Sequence, residues 1–131
     1  MLEPGTPSTL MKGISMATAR FAFQTPPGQG KEFIFELTDD TLIAHAREVL
    51  SGEETIKTHV QGRIVKRKAS YNPDFSFYLD PASISFFDVA SEFADSSAEY
   101  AEDHFDEIAG PFLPGGRWSP WASGLTREVK A

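Results

Sequence analysis

The sequence predicts an α+β fold, in which helices cover one face of a mainly antiparallel sheet to form a two-layer sandwich. Three observations predict it: segments in which apolar and polar residues alternate, amphipathic segments with helical spacing, and turn residues between them. The predicted order is ββαββα, followed by an irregular C-terminal segment rich in Trp, Pro and Gly. The length of 131 residues is enough for one domain with its own core.

The chain is predicted to begin with a tail and a β-hairpin. Residues 1–16 mix Pro, Gly and Ser without periodicity, which predicts a mobile tail followed by a single domain over residues 17–131. Ala19–Phe23 and Glu32–Leu37 alternate apolar and polar side chains, as half-buried strands do. The residues Pro26–Gly30 between them are typical of a hairpin loop.

A short amphipathic helix is predicted after the hairpin. Thr38–Asp40 offers side chains that cap a helix N-terminus, and the apolar residues of Leu42–Leu50 recur with helical spacing. Gly52 is expected to end this helix, because glycine adopts the left-handed conformation at a helix C-terminus without strain.

A second pair of strands is predicted next. Ile56–Lys66 alternates, with a basic outer face, Tyr71–Pro73 predicts a turn, and Phe75–Leu79 predicts the following strand. A basic cluster at this point of the sequence is formed by Arg63, Lys66, Arg67 and Lys68. The cluster is either a solvated strand end, a nuclear address or a patch for an anionic ligand, or it faces the acidic helices of this or another copy.

An acidic helical segment is predicted over Pro81–Ala109. At about 100° per residue its apolar side chains fall on one face and its carboxylates on the other. Asp80 followed by Pro predicts the start of the helix. The spacing of Ser96 and Glu99 is that of a capping box, so we predict two consecutive helices rather than one rod.

Composition restricts the function classes. Ten carboxylates and no Lys or Arg lie between Ala69 and Gly116, and the net charge of −7 argues against a nucleic-acid partner. No apolar run approaches the roughly 18 residues of a membrane span, and no leader pattern is present, so we predict no signal peptide and no membrane partner; the compartment is left open. The lack of cysteine excludes disulfides and thiolate catalysis. His45, His59 and His104 lack the spacing of paired ligands, so no metal site or cofactor is predicted.

Two surfaces are candidates for binding an unidentified protein partner. The C-terminal segment offers Arg117, Trp118, Pro120 and Trp121. Its tryptophans form either a lid over the sheet or a rigid contact loop. The acidic helix face offers Glu99, Asp103 and Asp106. This face is either solvated or bound to a basic protein.

The leading hypothesis from these residues is a non-enzymatic protein-binding module, a class that includes inhibitors and regulators of larger enzymes. The alternative is a small-ligand enzyme or carrier, in which His59 transfers a proton beside Arg63, Tyr71 and Tyr78. Its pocket would be lined by Phe21, Phe33, Phe35, Phe77, Phe86 and Phe87. A third possibility is a homo-oligomer, in which the basic strand end of one copy meets the acidic helices of the next and salt weakens the association.

Several motifs resemble those of a known family. They are His59-Val60 with Gly62, Tyr71-Asn72-Pro73, Phe75 to Pro81, Ser83-Ile84 with Phe86-Phe87, Phe112-Leu113-Pro114 and Trp118-Ser119-Pro120-Trp121. Over Ala19 to Val129 the chain is similar to a small-domain family related to a cAMP-inducible protein of slime moulds. The resemblance implies a fold more than an activity and brings no catalytic residues. Cysteines often stand in that family where this chain has Ala94 and Ser119, which implies that the Trp segment packs against the first acidic helix.

Overall fold

The structure is a computed structural model that describes residues 18–24, 31–88, 94–120 and 122–130. Within these ranges the helices are α1 (Asp40–Ser51) and α2 (Ala98–Asp103). The strands are β1 (Ala19–Gln24), β2 (Glu32–Leu37), β3 (His59–Val65), β4 (Tyr78–Leu79), β5 (Ser85–Phe87), β6 (Ile108–Ala109), β7 (Phe112–Pro114), β8 (Arg117–Trp118) and β9 (Arg127–Val129). The predicted α+β class is confirmed, whereas the predicted tail and the Pro26–Gly30 loop lie outside the described residues.

Antiparallel pairing dominates the sheets, as predicted. β1 lies between β2 and β9, and β3 pairs with β4, β5 and β8. β6 and β7 form a short parallel pair. The C-terminal segment was expected to be irregular, but it contributes β7, β8 and β9, and β5 intervenes before α2. The predicted order ββαββα is therefore wrong beyond β4.

The first half of the chain matches its prediction closely. β2 has the predicted bounds, and β1 extends one residue further than expected. The Asp39 side chain caps α1 by accepting the N–H of Thr41 at 2.8 Å, and Gly52 ends the helix with a φ of 90°. Neither described helix has the length and hydropathy of a membrane-spanning segment.

The helix predicted to begin at Pro81 does not form there. Asp80 does cap a turn, accepting the N–H of Ala82 at 3.0 Å, but this 3-10 turn ends at Ser83. β5 follows and pairs with β3. Its serine and aromatic residues form ladder hydrogen bonds and bury Phe87, so sheet pairing overrides the helical spacing of the sequence.

Over the described part of the predicted acidic helices, only α2 is α-helical. Ser97 is its N-cap and accepts the N–H of Tyr100 at 3.1 Å, one residue later than the predicted cap at Ser96. Ala98 and Ala101 face the core. A 3-10 turn at Phe105–Glu107 then leads into β6.

Aromatic rings build the core. The fully buried rings are Phe21, Phe23, Phe33, Phe35, Phe75, Phe77 and Trp118. The ring centroid of Trp118 lies 5.1 Å from that of Phe33 and 5.6 Å from that of Phe77, in edge-to-face contacts. β8 reaches this position beside Gly62 of β3, where an added Cβ would lie 3.3 Å from Leu79. A larger residue at this position would push the neighbouring side chains away by a few tenths of an ångström, so the close approach of β3 to its neighbours favours glycine.

The predicted turn at Tyr71–Pro73 is held to the hairpin by Asn72. This side chain is fully buried. Its Oδ1 accepts the N–H of Ile34 at 2.8 Å, and its Nδ2 donates to the carbonyl of Phe77 at 3.0 Å. β3 is shorter than the predicted strand Ile56–Lys66. β4 is shorter than the predicted strand Phe75–Leu79, because Phe75 and Phe77 enter the core from irregular backbone.

Candidate functional site

The described part of the Trp segment places Trp118, Ser119 and Pro120 in the core. Trp118 is 0% exposed, and its Nε1–H donates to the carbonyl of Ser96 at 2.9 Å. Pro120 is also buried, whereas Arg117 is exposed. Trp121 lies outside the described residues. Trp118 and Pro120 are therefore not exposed for contact with a partner, which fits the lid alternative for these two residues.

Ala94 and Ser119, the positions at which the resembling family often has cysteines, are adjacent in the structure. The N–H of Ser119 donates to the carbonyl of Ala94 at 2.8 Å. Ordinary bond lengths then place their Cα atoms within about 7 Å of each other. The start of the segment after β8 is thus fixed to the chain before α2.

Four of the six phenylalanines predicted to line a pocket are fully buried core residues. Phe21, Phe33, Phe35 and Phe77 are each 0% exposed and belong to one core cluster. Because their rings pack against one another, they form core and do not line a ligand site. His59 sits at the far end of β3, where it pairs with Phe87, so it does not join the two tyrosines.

Tyr71 and Tyr78 do lie together, at a surface cleft. Their ring centroids are 6.3 Å apart in an edge-to-face arrangement. They line an open cleft of about 470 Å³ whose other walls are Glu36, Arg67, Lys68, Ala69, Ser70 and Pro81. Arg63 is not a wall of this cleft; it is ion-paired with Asp80 nearby. Burial, with the Glu36 carboxylate second, raises the pKa of the Tyr71 hydroxyl to about 12.

The acidic face is the second exposed site. We define it as α2 and the 3-10 turn after it, with Phe112 of β7. Within it, a cleft of about 260 Å³ is lined by Glu102, Asp103, His104, Phe105, Asp106 and Glu107. Asp103 and Asp106 are exposed, as predicted, and Glu99 is half-buried in the first turn of α2. A carboxylate there is stabilised by the helix dipole.

The stacked rings of Tyr100 and His104 lie beside these carboxylates. Tyr100 is 51% exposed, which is unusual for a large ring among the residues that the structure describes. Its ring stacks on His104 with centroids 4.0 Å apart and meets the edge of Phe112 at 5.4 Å. The His104 Nδ1 lies 2.9 Å from the carbonyl of Tyr100, which fixes the imidazole against the helix. Sequence reasoning missed this stack, although Tyr and His four residues apart on a helix predict such a contact.

The acidic face is poorly neutralised by the rest of the described chain. None of the described ion pairs involves Asp103, Asp106 or Glu107. The Glu102 carboxylate accepts two hydrogen bonds from Ser76, one from the Ser76 N–H at 2.8 Å and one from the Ser76 hydroxyl at 2.6 Å. Lys66 is the nearby cation, but its ammonium donates to the carbonyl of Ile108 and lies over the ring of Phe105. Carboxylates therefore remain available to an external cation.

Comparison with known proteins gives one finding. The family model of the BP-74 N-terminal domain matches residues 17–131 of the chain. No curated protein and no solved structure matches it.

Proposed function

We propose that this chain, which belongs to the BP-74 N-terminal domain family, is a non-enzymatic module that binds a basic segment of another protein through its acidic face. One observation carries the proposal: the half-exposed Tyr100, stacked on His104 and in edge-to-face contact with Phe112, lies beside a cleft lined by four carboxylates. Inhibitors and regulators of larger enzymes belong to this class of module.

The two parts of the surface have different roles in binding. The carboxylates attract Lys or Arg side chains, which raises the association rate and makes it sensitive to salt. Tyr100 offers a half-exposed aromatic ring for contact, and a cation over the face of such a ring gains about 0.5 to 2 kcal/mol. Tyrosine is also enriched among the residues that dominate binding energy. Affinity is therefore expected to depend on Tyr100 and encounter rate on the carboxylates.

The shape of the site favours binding over catalysis. The cleft is open, and Asp103, Asp106 and Glu107 are exposed to solvent. Catalytic sites usually exclude water around the reacting groups, which strengthens the electrostatic interactions that lower a barrier. An open acidic cleft beside an aromatic ring is instead typical of contact with a partner surface.

Capture from a native lysate tests this proposal with matched variants. Tyr100→Ala and the double variant Asp103→Lys, Asp106→Lys are each compared with the unchanged chain at low and high salt. Loss of a hot-spot tyrosine is expected to weaken binding by about 30-fold, which corresponds to about 2 kcal/mol. Ile56→Ala is the control for Tyr100→Ala, because Ile56 is a large exposed side chain (65%) that lies outside the acidic face. Glu53→Lys is the control for charge reversal, since Glu53 is an exposed acid outside the site.

The outcomes separate the alternatives. A partner that is retained by the controls and lost by both site variants supports the proposal, and a second copy of this chain among the captured proteins identifies a homo-oligomer. A partner retained equally by every variant contradicts it. Melting curves of all variants show whether a loss reflects unfolding.

The tyrosine cleft favours a second candidate function, the binding of a small anion. Arg67 and Lys68 are exposed at its rim, and the described residues include no carboxylate paired with either. Inorganic phosphate and benzoate, titrated against the chain and against Arg67→Gln, probe this cleft. Chemical-shift changes at Tyr71 and Tyr78 that vanish in the variant would support it, and unchanged spectra would contradict it.

The resemblance to relatives of a slime-mould cAMP-inducible protein is part of the same proposal. A cysteine pair at the positions of Ala94 and Ser119 would reinforce a contact that this chain makes through one backbone hydrogen bond. Such a pair would hold the Trp segment in the core and leave the acidic face as the exposed surface.

A further inference from the structure

α1 and the turn after it bring together three side chains of types that bind metals in other proteins. His45 and Glu48 lie three residues apart on α1, and Glu54 follows the C-cap of that helix. One potential ligand atom from each lies within 4.8 Å of the other two. Among the described residues, this is the group of His and acidic side chains close enough together to hold a metal ion. None of the three belongs to the acidic face.

Hydrogen bonds hold two of these side chains in place. The Glu54 Oε2 accepts the N–H of Ile56 at 3.0 Å and that of Lys57 at 2.8 Å. The backbone N–H of Lys57, followed by that of Ile56, lowers the pKa of the Glu54 carboxyl, so the group is an anion at neutral pH. Its second oxygen is not used by these two bonds.

The imidazole of His45 is fixed in a similar way. Its Nε2 lies 2.8 Å from the carbonyl oxygen of Lys57. A carbonyl only accepts, so Nε2 carries the proton and donates, which leaves the lone pair on Nδ1 for a cation. The ring also packs against Phe86, with centroids 4.5 Å apart. A histidine ligand commonly donates its other ring N–H to a carbonyl, and this contact orients the ring.

We propose that His45, Glu48 and Glu54 bind a divalent transition-metal ion of the zinc class. One imidazole nitrogen and two carboxylate oxygens are ligands that zinc accepts, and three protein ligands leave one position open for water or a group from another molecule. Calcium is disfavoured, because it requires six to eight oxygen ligands. Ligand atoms around zinc lie about 3.4 Å apart at bonds of about 2.1 Å. The exposed Glu48 side chain can close the remaining distance by rotation.

Metal binding would connect α1 to the turn that precedes β3. A ligand that binds only the folded state raises stability in proportion to the logarithm of its concentration. Zinc is therefore expected to raise the melting temperature of the full chain. This inference does not depend on the acidic face.

Calorimetric titration of the full, tag-free chain with zinc chloride tests the site. We expect one ion per chain, a zinc-dependent rise in melting temperature and, with cobalt(II) as a spectroscopic substitute, visible absorption. His45→Ala and Glu48→Gln should each weaken binding by at least about tenfold. His59→Gln and Glu53→Gln, which change a histidine and an acid outside the group, should leave it unchanged.

Two results would overturn the site: no heat at millimolar zinc, or equal affinity in Glu48→Gln and the unchanged chain. His45→Ala removes the contacts with Phe86 and Lys57 and risks unfolding. Glu48→Gln keeps the test valid in that case, because the Glu48 side chain is exposed and the substitution preserves its size.

Discussion

Replacing Trp118 with alanine should strongly destabilise the domain. Trp118 is fully buried against Phe33 and Phe77, and its Nε1–H donates to the carbonyl of Ser96. Truncation of a buried tryptophan to alanine costs about 3 to 5 kcal/mol, because apolar contact is lost and a cavity remains. Loss of the hydrogen bond adds about 0.5 to 1.5 kcal/mol. The free energy of unfolding of a whole domain is about 5 to 15 kcal/mol, so the variant should be close to unfolding at room temperature.

Urea unfolding followed by circular dichroism measures this effect. Trp118→Phe is the matched control, since it keeps most of the apolar volume and loses the N–H donor; it should cost about 1 to 2 kcal/mol. If Trp118→Ala lowers the free energy of unfolding by less than about 1 kcal/mol, the reasoning is refuted, because removal of a fully buried ring has a larger effect.

Three further outcomes are expected. Asn72→Ala removes the acceptor for the N–H of Ile34 and should lower the free energy of unfolding by about 2 to 4 kcal/mol in urea titration. Absorbance at alkaline pH should show a late-titrating phenol that disappears in Tyr71→Phe. Because the pKa of Tyr71 is raised to about 12 in the folded state, its contribution to stability is complete below the unfolded pKa and is lost as pH rises through the folded pKa. The double variant Ala94→Cys, Ser119→Cys should form a disulfide in air and raise the melting temperature, whereas free thiols by mass spectrometry would contradict the adjacency of these positions.

The elements with strong local signals were predictable from the sequence. The alternation of β1 and β2, the Asp39 cap and the Gly52 stop each depend on neighbouring residues, and the structure has all of them. After Asp80 the apolar residues repeat with helical spacing, and this local pattern predicts a helix. There the pairing of β5 with β3 decides the structure, and that pairing joins segments more than twenty residues apart.

The sites were less predictable for the same reason. The burial of Trp118 depends on β8 meeting β3, which no local pattern reveals. The spacing of the histidines does not reveal the group of His45, Glu48 and Glu54, because its other two members are carboxylates. Glu54 also lies beyond the end of the helix, so helical periodicity does not place it beside His45. The acidic face was predicted from its carboxylates, and the structure adds the exposed ring of Tyr100.

Titration of the isotopically labelled chain with a peptide rich in Lys and Arg, followed by amide chemical shifts, tests the central claim most directly. The account predicts shifts confined to residues 99–107 and Phe112, which weaken as salt is added and are reduced in Tyr100→Ala. Shifts that instead centre on Tyr71 and Tyr78, or no shifts at low salt, would contradict an acidic face that binds a basic partner.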